Sequence, residues 1–547
     1  MRIAAVKALI LMSLFLVPGA TGAQSVNQGF AAMEQGDFFA AFSALRRLER
    51  SGDPEATRLL NDIFLAPAAA PAPRDPVTPV PVAAPARRLP AVDESASASP
   101  MRSLRPVMRA TSPGMTEPDL SARAHDLPLP LSEDSFRVID AGLADIGHLL
   151  FFDPILSGNK DVACATCHHP TLGSGDGVSL GLGTGATGLG DARTPAGAFA
   201  AERRIPRNAP ALWNLGAKDI RVLFHDGRLE TDPDRPDGLL SQQGPLDYME
   251  LDSVLAAQVL FPVLSPEEMA GQPQDNPIGA AVHEERIHGD DGAWALLAAR
   301  VDSVAEYRAA FTAWRGVERP VRISDIANAI AAFIEAEFRA DQSPFDAYLR
   351  ETAALSAQAG EGMRLFYGRG NCASCHSGSL LSDQAFHAMG QPPLGPGKDR
   401  DEEGYTRDIG RGGVTLNPED NFAFRTPMLR NVMQTGPWGH AGAFSDMRDF
   451  LRHHLDPVAG LRRYAPQAVL PDLPSEDKDY APVENAALVA QISDAAARSM
   501  AQRPLVLLQD DEIELLVAFL EALTDESALA GRRGVPVAVP SGLSVDQ

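Results

Sequence analysis

All four cysteines of this 547-residue chain fall into two copies of one pattern, Cys-x-x-Cys-His. The first is Cys164, Cys167 and His168; the second is Cys372, Cys375 and His376. Two thiols at this spacing can each form a thioether to a haem vinyl group, and the adjoining histidine then falls against the iron as its proximal ligand. The spacing predicts two covalently bound haem c groups, with His168 on haem iron 1 and His376 on haem iron 2. Two other chemistries use cysteine pairs, an all-cysteine structural zinc site and a redox dithiol. Both fit less well. Each pair is followed at once by histidine, the pairs lie far outside the span of a zinc ribbon, and no cysteine remains for a disulfide.

The elements that must hold these groups read as mainly α with long loops, preceded by a short helical segment and a Pro/Ala-rich linker. Residues 1–23 have a basic start, an apolar run of Ala8 to Val17 and small residues ending at Ala23, which reads as a secretory signal peptide. Export to the periplasm agrees with haem attachment outside the cytoplasm. Residues 24–65 place Phe30, Met33, Phe38, Phe42 and Leu45 near helical spacing, like one unit of a tetratricopeptide-type repeat. A lone unit buries its face poorly, so a protein partner is one expected use for it. Residues 66–118 are rich in Pro, Ala and Ser and are expected to be a disordered linker.

The compact part is expected from 119. Leu143 to Phe152 reads as a helix leading into the first motif. The glycine-rich stretch from Gly173 to Gly190 lacks the strand and the Lys-Ser/Thr of a phosphate cradle, so it reads as an irregular loop around haem. Ser324 is read as the cap of an amphipathic helix carrying Ile326, Ile330, Phe333, Ile334 and Phe338, with Pro344 as its stop. That places a junction between residues 119–342 and 343–526. The last helix puts Ile513, Leu516, Phe519, Leu520 and Leu523 on one face, and the 527–547 tail is expected to fray. The formal charge of −24 argues against a nucleic-acid partner.

At this point the chain resembles the bacterial di-haem cytochrome c peroxidase family, including its MauG-like di-haem oxidases. The resemblance covers about residues 130–525. It is carried by Gly147-His-Leu-Leu-Phe-Phe-Asp-Pro154, Leu156-Ser-Gly158, Pro206-Arg-Asn-Ala-Pro210, Phe224-His-Asp-Gly-Arg228, Ser343-Pro-Phe-Asp346, Phe424-Arg-Thr-Pro427 and Leu429-Arg-Asn431, in that order. It implies two cytochrome c-like haem domains, the N-terminal one (119–342) peroxidatic and the C-terminal one (343–526) passing electrons on. It implies a calcium ion between them, with Asn208, Thr435 and Pro437 at the family's carbonyl positions.

The resemblance also implies the chemistry at each iron. Gln258 and Glu268 match the family's distal pair. Glu268 would move a proton between the peroxide oxygens as the O–O bond breaks, and Gln258 would orient peroxide or water. Glu267 is the neighbouring rival for the carboxyl role. Many members carry a removable distal histidine where this chain has Leu182, and no histidine occurs between His169 and His225. The first iron is therefore expected to keep an open or water-filled position. His169 is expected to point away as a loop or surface residue. The family's tryptophan between the haems is His225 here, with Trp438 as a substitute carrier or a packed aromatic. Arg228 would serve haem propionates, the distal pocket or an ion pair with Asp226.

At the second iron the family places Met or Tyr fourteen residues after the turn histidine. Counting from His440 reaches His454, with His453 one register away. Ligation by His376 and His454 is the expectation; Met428, Met433 and Met447 are the thioether alternatives. The function expected is peroxide reduction with electrons from a small cytochrome c or cupredoxin. The alternatives are a MauG-like oxidase that modifies a partner protein and a non-catalytic electron carrier.

Overall fold

The computed structural model describes residues 126–546 apart from 236–237, 242–245, 247–248, 399–407, 474–484, 502 and 504–505. The expected signal peptide (1–23), helical segment (24–65) and linker (66–118) lie outside the described residues.

Helices and long loops dominate, as the periodicity predicts. In the first half they are α1 (Ala141–Phe152), α2 (Cys164–Cys167), α3 (Val254–Val259), α4 (Pro277–His283), α5 (Ala293–Asp302), α6 (Ala305–Arg315) and α7 (Ile323–Glu337). In the second half they are α8 (Pro344–Leu349), α9 (Ala357–Tyr367), α10 (Gly412–Thr415), α11 (Met447–Leu455), α12 (Pro457–Arg463), α13 (Ala486–Met500), α14 (Asp510–Glu521) and α15 (Glu526–Leu529). Strands are short and antiparallel. β1 (Ala186–Thr187) pairs with β2 (Thr194–Pro195), and β3 (Val222–Leu223), β4 (Leu229–Thr231) and β5 (Leu239–Ser241) form a small sheet with Leu223 opposite Leu229. A last pair, β6 (Phe386–His387) and β7 (Phe424–Arg425), sets His387 opposite Phe424.

Two main hydrophobic cores form. The first is built on α1 crossing α7, where Phe151 and Phe333 lie 4.9 Å apart and Trp213 meets Phe338 edge-on. The crossing is so close that a Cβ on Gly147 would fall 1.8 Å from the Ala329 carbonyl oxygen, so no side chain fits. The second core packs α9 against α14, with Phe519 edge-on to Phe345 at 5.1 Å. Offset and edge-on ring pairs of this kind add stability beyond the area they bury.

Three local expectations are corrected. Ser324 lies inside α7 and is buried; the residue before the helix is Arg322, whose N–H donates to Asp325 Oδ2 at 2.9 Å. Asp325 wins because its carboxylate also holds Arg315 and Arg319, which anchors it at the helix start. Pro344 does not stop α7, which ends at Glu337. It opens α8, where its missing N–H costs nothing, behind a Ser343 cap that exchanges hydrogen bonds with Asp346. Nor does the tail fray. After α15 the chain turns back across the first core, burying Val539 and packing Val535, Leu543 and Val545 against it. Four spaced apolar residues hold this irregular segment, together with polar groups that bond to it.

Candidate haem and active site

The first motif is presented by α2, which starts just after the extended residue Ala163 and ends at His168. Burial pushes the thiols of Cys164 and Cys167 up to about 12. His168 Nδ1 lies 3.1 Å from the Ser174 carbonyl oxygen, at the start of the glycine-rich loop. That bond fixes the tautomer with Nε2 as the free ligand atom, the arrangement expected of an iron-binding imidazole. His169 departs from expectation: it is only 2% exposed, with Nδ1 2.7 Å from Thr171 Oγ1 and its ring edge-on to Phe152. A histidine that caps the next turn is drawn inward with it.

Glu268 sits in a π-helical turn, Pro266–Ala270, capped by Ser265. Turns of this type are frequent at functional sites because they re-aim a side chain. Its half-buried carboxyl is pushed up by burial and pulled back by Arg228, Ser265 and Lys398. The Glu268 charge in turn acts on the Cys167 thiol, which joins the distal candidate to the first motif. Gln258 lies at the end of α3, and its Oε1 is buried without a hydrogen-bond partner. A buried orphan acceptor is costly unless something donates to it. The glycine-rich loop closes over this region. Arg193 gathers the carbonyls of Leu182, Gly183 and Gly188, and Thr184 N–H donates to Glu268 O. A Cβ on Gly183 would fall 2.1 Å from Glu267 O, so the loop and the acidic turn are in direct backbone contact. Leu182 is fully buried there.

Between the two halves runs a buried ion network. Asp226 receives Arg207 at 2.6 Å, Lys398 at 3.0 Å and Arg228 at 3.1 Å, while Arg207 also holds Asp408. Arg207, Arg228 and Lys398 hold the Asp226 carboxyl well below its usual range in spite of burial. Burial and Arg228 lower Lys398 to about 8. Arg228 therefore does pair with Asp226, and its guanidinium also lies 3.7 Å above the Phe224 ring. His225 is lowered to about 3 by burial, Arg207 and His440, so it is a neutral imidazole, with Nε2 3.1 Å from Asn208 O. His440 stacks on Phe424 at 3.7 Å.

The second motif opens on a cavity of about 290 Å³ lined by Cys372, Cys375, His376 and His454. His376 Nδ1 lies 3.1 Å from Leu381 O, and His454 Nδ1 lies 2.9 Å from Phe450 O. Both imidazoles thus keep Nε2 free, as His168 does. His453 differs. Its Nε2 bonds Met389 O at 2.8 Å, it is 2% exposed, and it is absent from the cavity wall. Met428, Met447 and Trp438 line the cavity; Met433 packs against the second core instead. Trp438 is tied by Nε1 to Val432 O at 2.9 Å. Beside Cys375 stands Arg503, 2.8 Å from its Sγ and 3.2 Å from His387 Nδ1.

Asn208, Thr435 and Pro437 line this same cavity. The Asn208 amide donates to Val178 O and Thr435 Oγ1 donates to Val432 O. The set holds no carboxylate, so a cation there would rest on neutral oxygens alone.

Among the described residues the two cysteine pairs do not converge. The one cluster of three or more His, Cys, Asp or Glu side chains is Cys375, Asp383 and His387, which takes a single cysteine. A four-cysteine zinc site is thereby removed, whereas free Nε2 atoms beside paired thiols fit haem. Sequence reasoning missed Arg193, Arg207, Lys398, Asp408 and Arg503. Only Arg207 carried a signal, inside Pro206-Arg-Asn-Ala-Pro210.

Residues 141–354 match the family model described as di-haem cytochrome c peroxidase. The class of this region is therefore the di-haem cytochrome c peroxidase family, as the motifs indicate, and that family implies two haem c groups. Among relatives, the methylamine utilization protein MauG of Methylorubrum extorquens is 28% identical over 57% of this chain and 67% of its own length. The cytochrome c551 peroxidase of Pseudomonas aeruginosa is 29% identical over 60% and 76%. MauG of Paracoccus denitrificans is 27% identical over 73% and 92%. A solved MauG-like protein associated with microbial copper homeostasis aligns over 74% of this chain and 95% of its own at 22% identity, with a TM-score of 0.46. No helix among the described residues is long and apolar enough to cross a membrane.

Proposed function

We propose that this chain is a periplasmic di-haem peroxidase-like oxidoreductase that reduces hydrogen peroxide to two waters, consuming two protons and two electrons. Cys164, Cys167 and His168 would hold the first haem; Cys372, Cys375, His376 and His454 would hold the second. The haem irons supply the electron-accepting chemistry and the peroxide-binding position. This chain's residues do the rest. Gln258 would orient the bound oxygen through its orphan Oε1. Glu268 would take a proton from one peroxide oxygen and return it to the other. Burial raises the Glu268 carboxyl, and Arg228, Ser265 and Lys398 oppose that rise. The buried Leu182 brings no ligand to the first iron. A small cytochrome c or cupredoxin is the proposed donor, and a calcium ion at Asn208, Thr435 and Pro437 belongs to this reading through the resemblance alone.

The observation that carries the reading is the acidic turn of Glu268 held in backbone contact with the glycine-rich loop that follows the first motif, Thr184 N–H donating to Glu268 O at 2.9 Å. The test is an EPR spectrum of the oxidised holoprotein followed by turnover with peroxide and a reduced cytochrome. A high-spin ferric component with turnover supports it. Two low-spin signals would make the chain an electron carrier. A high-spin signal without turnover would favour the second reading, a MauG-like oxidase acting on a partner protein. Imidazole in place of thioether at position 454 speaks for that second reading, because it lowers the second haem's potential.

A further inference from the structure

The segment after α15 runs back across the first core to reach the first motif. Arg532 donates to the Ala336 and Glu337 carbonyls, and its backbone N–H donates to Glu337 Oε1. His148 Nε2 lies 2.8 Å from Gly534 O. Ser541 Oγ donates to Asp153 Oδ1 at 2.6 Å, and Asp153 Oδ2 is held by Tyr307. The segment then reaches α2 itself. Thr166, the fully buried residue between the two cysteines, donates from Oγ1 to Asp546 Oδ2 at 2.6 Å. The same hydroxyl accepts from Ala163 N–H at 3.0 Å, so it ties the entry of the motif to the carboxylate.

We propose that residues 531–546 are a strap belonging to the first haem site, and that Asp546 is a positioning residue for its iron. The inference rests on the haem reading above. The strap fixes the segment that carries both cysteines and His168, and it brings a half-buried carboxylate to that segment. A fixed negative charge favours the more positive, ferric state, so it holds the first haem's midpoint down. Every contact of the strap named above is to the first half of the protein, so it acts on the first motif alone.

The test uses the full-length holoprotein. D546N removes the charge, T166V removes the link, and T166S keeps it. Redox titration followed by EPR reads each haem separately. D546N and T166V are expected to raise the midpoint of the high-spin haem and to alter its ferric line shape. T166S is expected to match the parent, and the low-spin haem to stay put in all three. Unmoved first-haem midpoints in both D546N and T166V overturn the inference. Equal shifts at both haems also overturn it, since they mark general loosening. A parent with no high-spin ferric signal overturns the underlying reading instead.

Discussion

Arg207 grips Asp408 with two hydrogen bonds, Nε to Oδ2 at 2.6 Å and a terminal nitrogen to Oδ1 at 2.7 Å, joining residues from the two halves of the protein. The same guanidinium holds Asp226. Removing one partner of such a buried network leaves uncompensated charges, at a cost of about 3–5 kcal/mol. R207M is therefore expected to lower the unfolding free energy by about that amount, read by denaturant titration of the holoprotein.

The same network sets an acid limit. Asp226 and Asp408 are held below their usual carboxylate range when folded. In the unfolded chain they titrate near the ordinary Asp value of about 3.9. Below that value the unfolded chain binds more protons, so stability falls as pH drops toward the folded values. Unfolding free energy measured from pH 6 to pH 3 should decline toward the acid end, and R207M should flatten that slope.

Glu268 titrates the other way. Burial raises its carboxyl, so the charged form needed to accept a proton from peroxide is gained only above the usual Glu value of about 4.3. The acid limb of kcat/KM should lie above that value. E268Q should lose about 10²–10⁴ in turnover and lose that limb. An E268Q enzyme with parental turnover would assign the proton transfer to another group, with Glu267 the first to examine.

His454 and His453 can be separated by spectroscopy. H454M should replace a bis-imidazole low-spin signal and raise the second haem's midpoint. H453A should keep that signal, because His453 spends its Nε2 on Met389 O inside the fold. The reverse pattern would assign the ligand to His453.

Gly183 tests the contact between the loop and the acidic turn. An alanine there must push backbone off Glu267, whose carbonyl oxygen lies 2.1 Å from the added Cβ. A displacement of about 1 Å at a catalytic group can cost on the order of 10²-fold in rate. G183A should lose turnover to that extent while leaving the low-spin haem spectrum intact.

Local pattern made much of this protein readable. Cysteine and histidine spacing marks both attachment sites because thioether chemistry demands that spacing within a few consecutive residues. Apolar periodicity marks α1, α7 and α14 for the same reason: the signal lies within one turn or two. Cap choice at Arg322 and Asp325 was misread because Arg315, reaching in from α6, decides it.

The sequence by itself determined which atoms can bond to haem, since those bonds depend on neighbours along the chain. Only the tertiary structure decided which groups surround them. His454, and not His453, lies on the face of α11 that meets the cavity. The charges on Asp226, the contact of Gly183 with Glu267 and the strap from Asp546 to Thr166 join residues far apart in the chain. Coulomb and packing forces act through space, and nothing in the order of residues encodes a separation that folding alone creates.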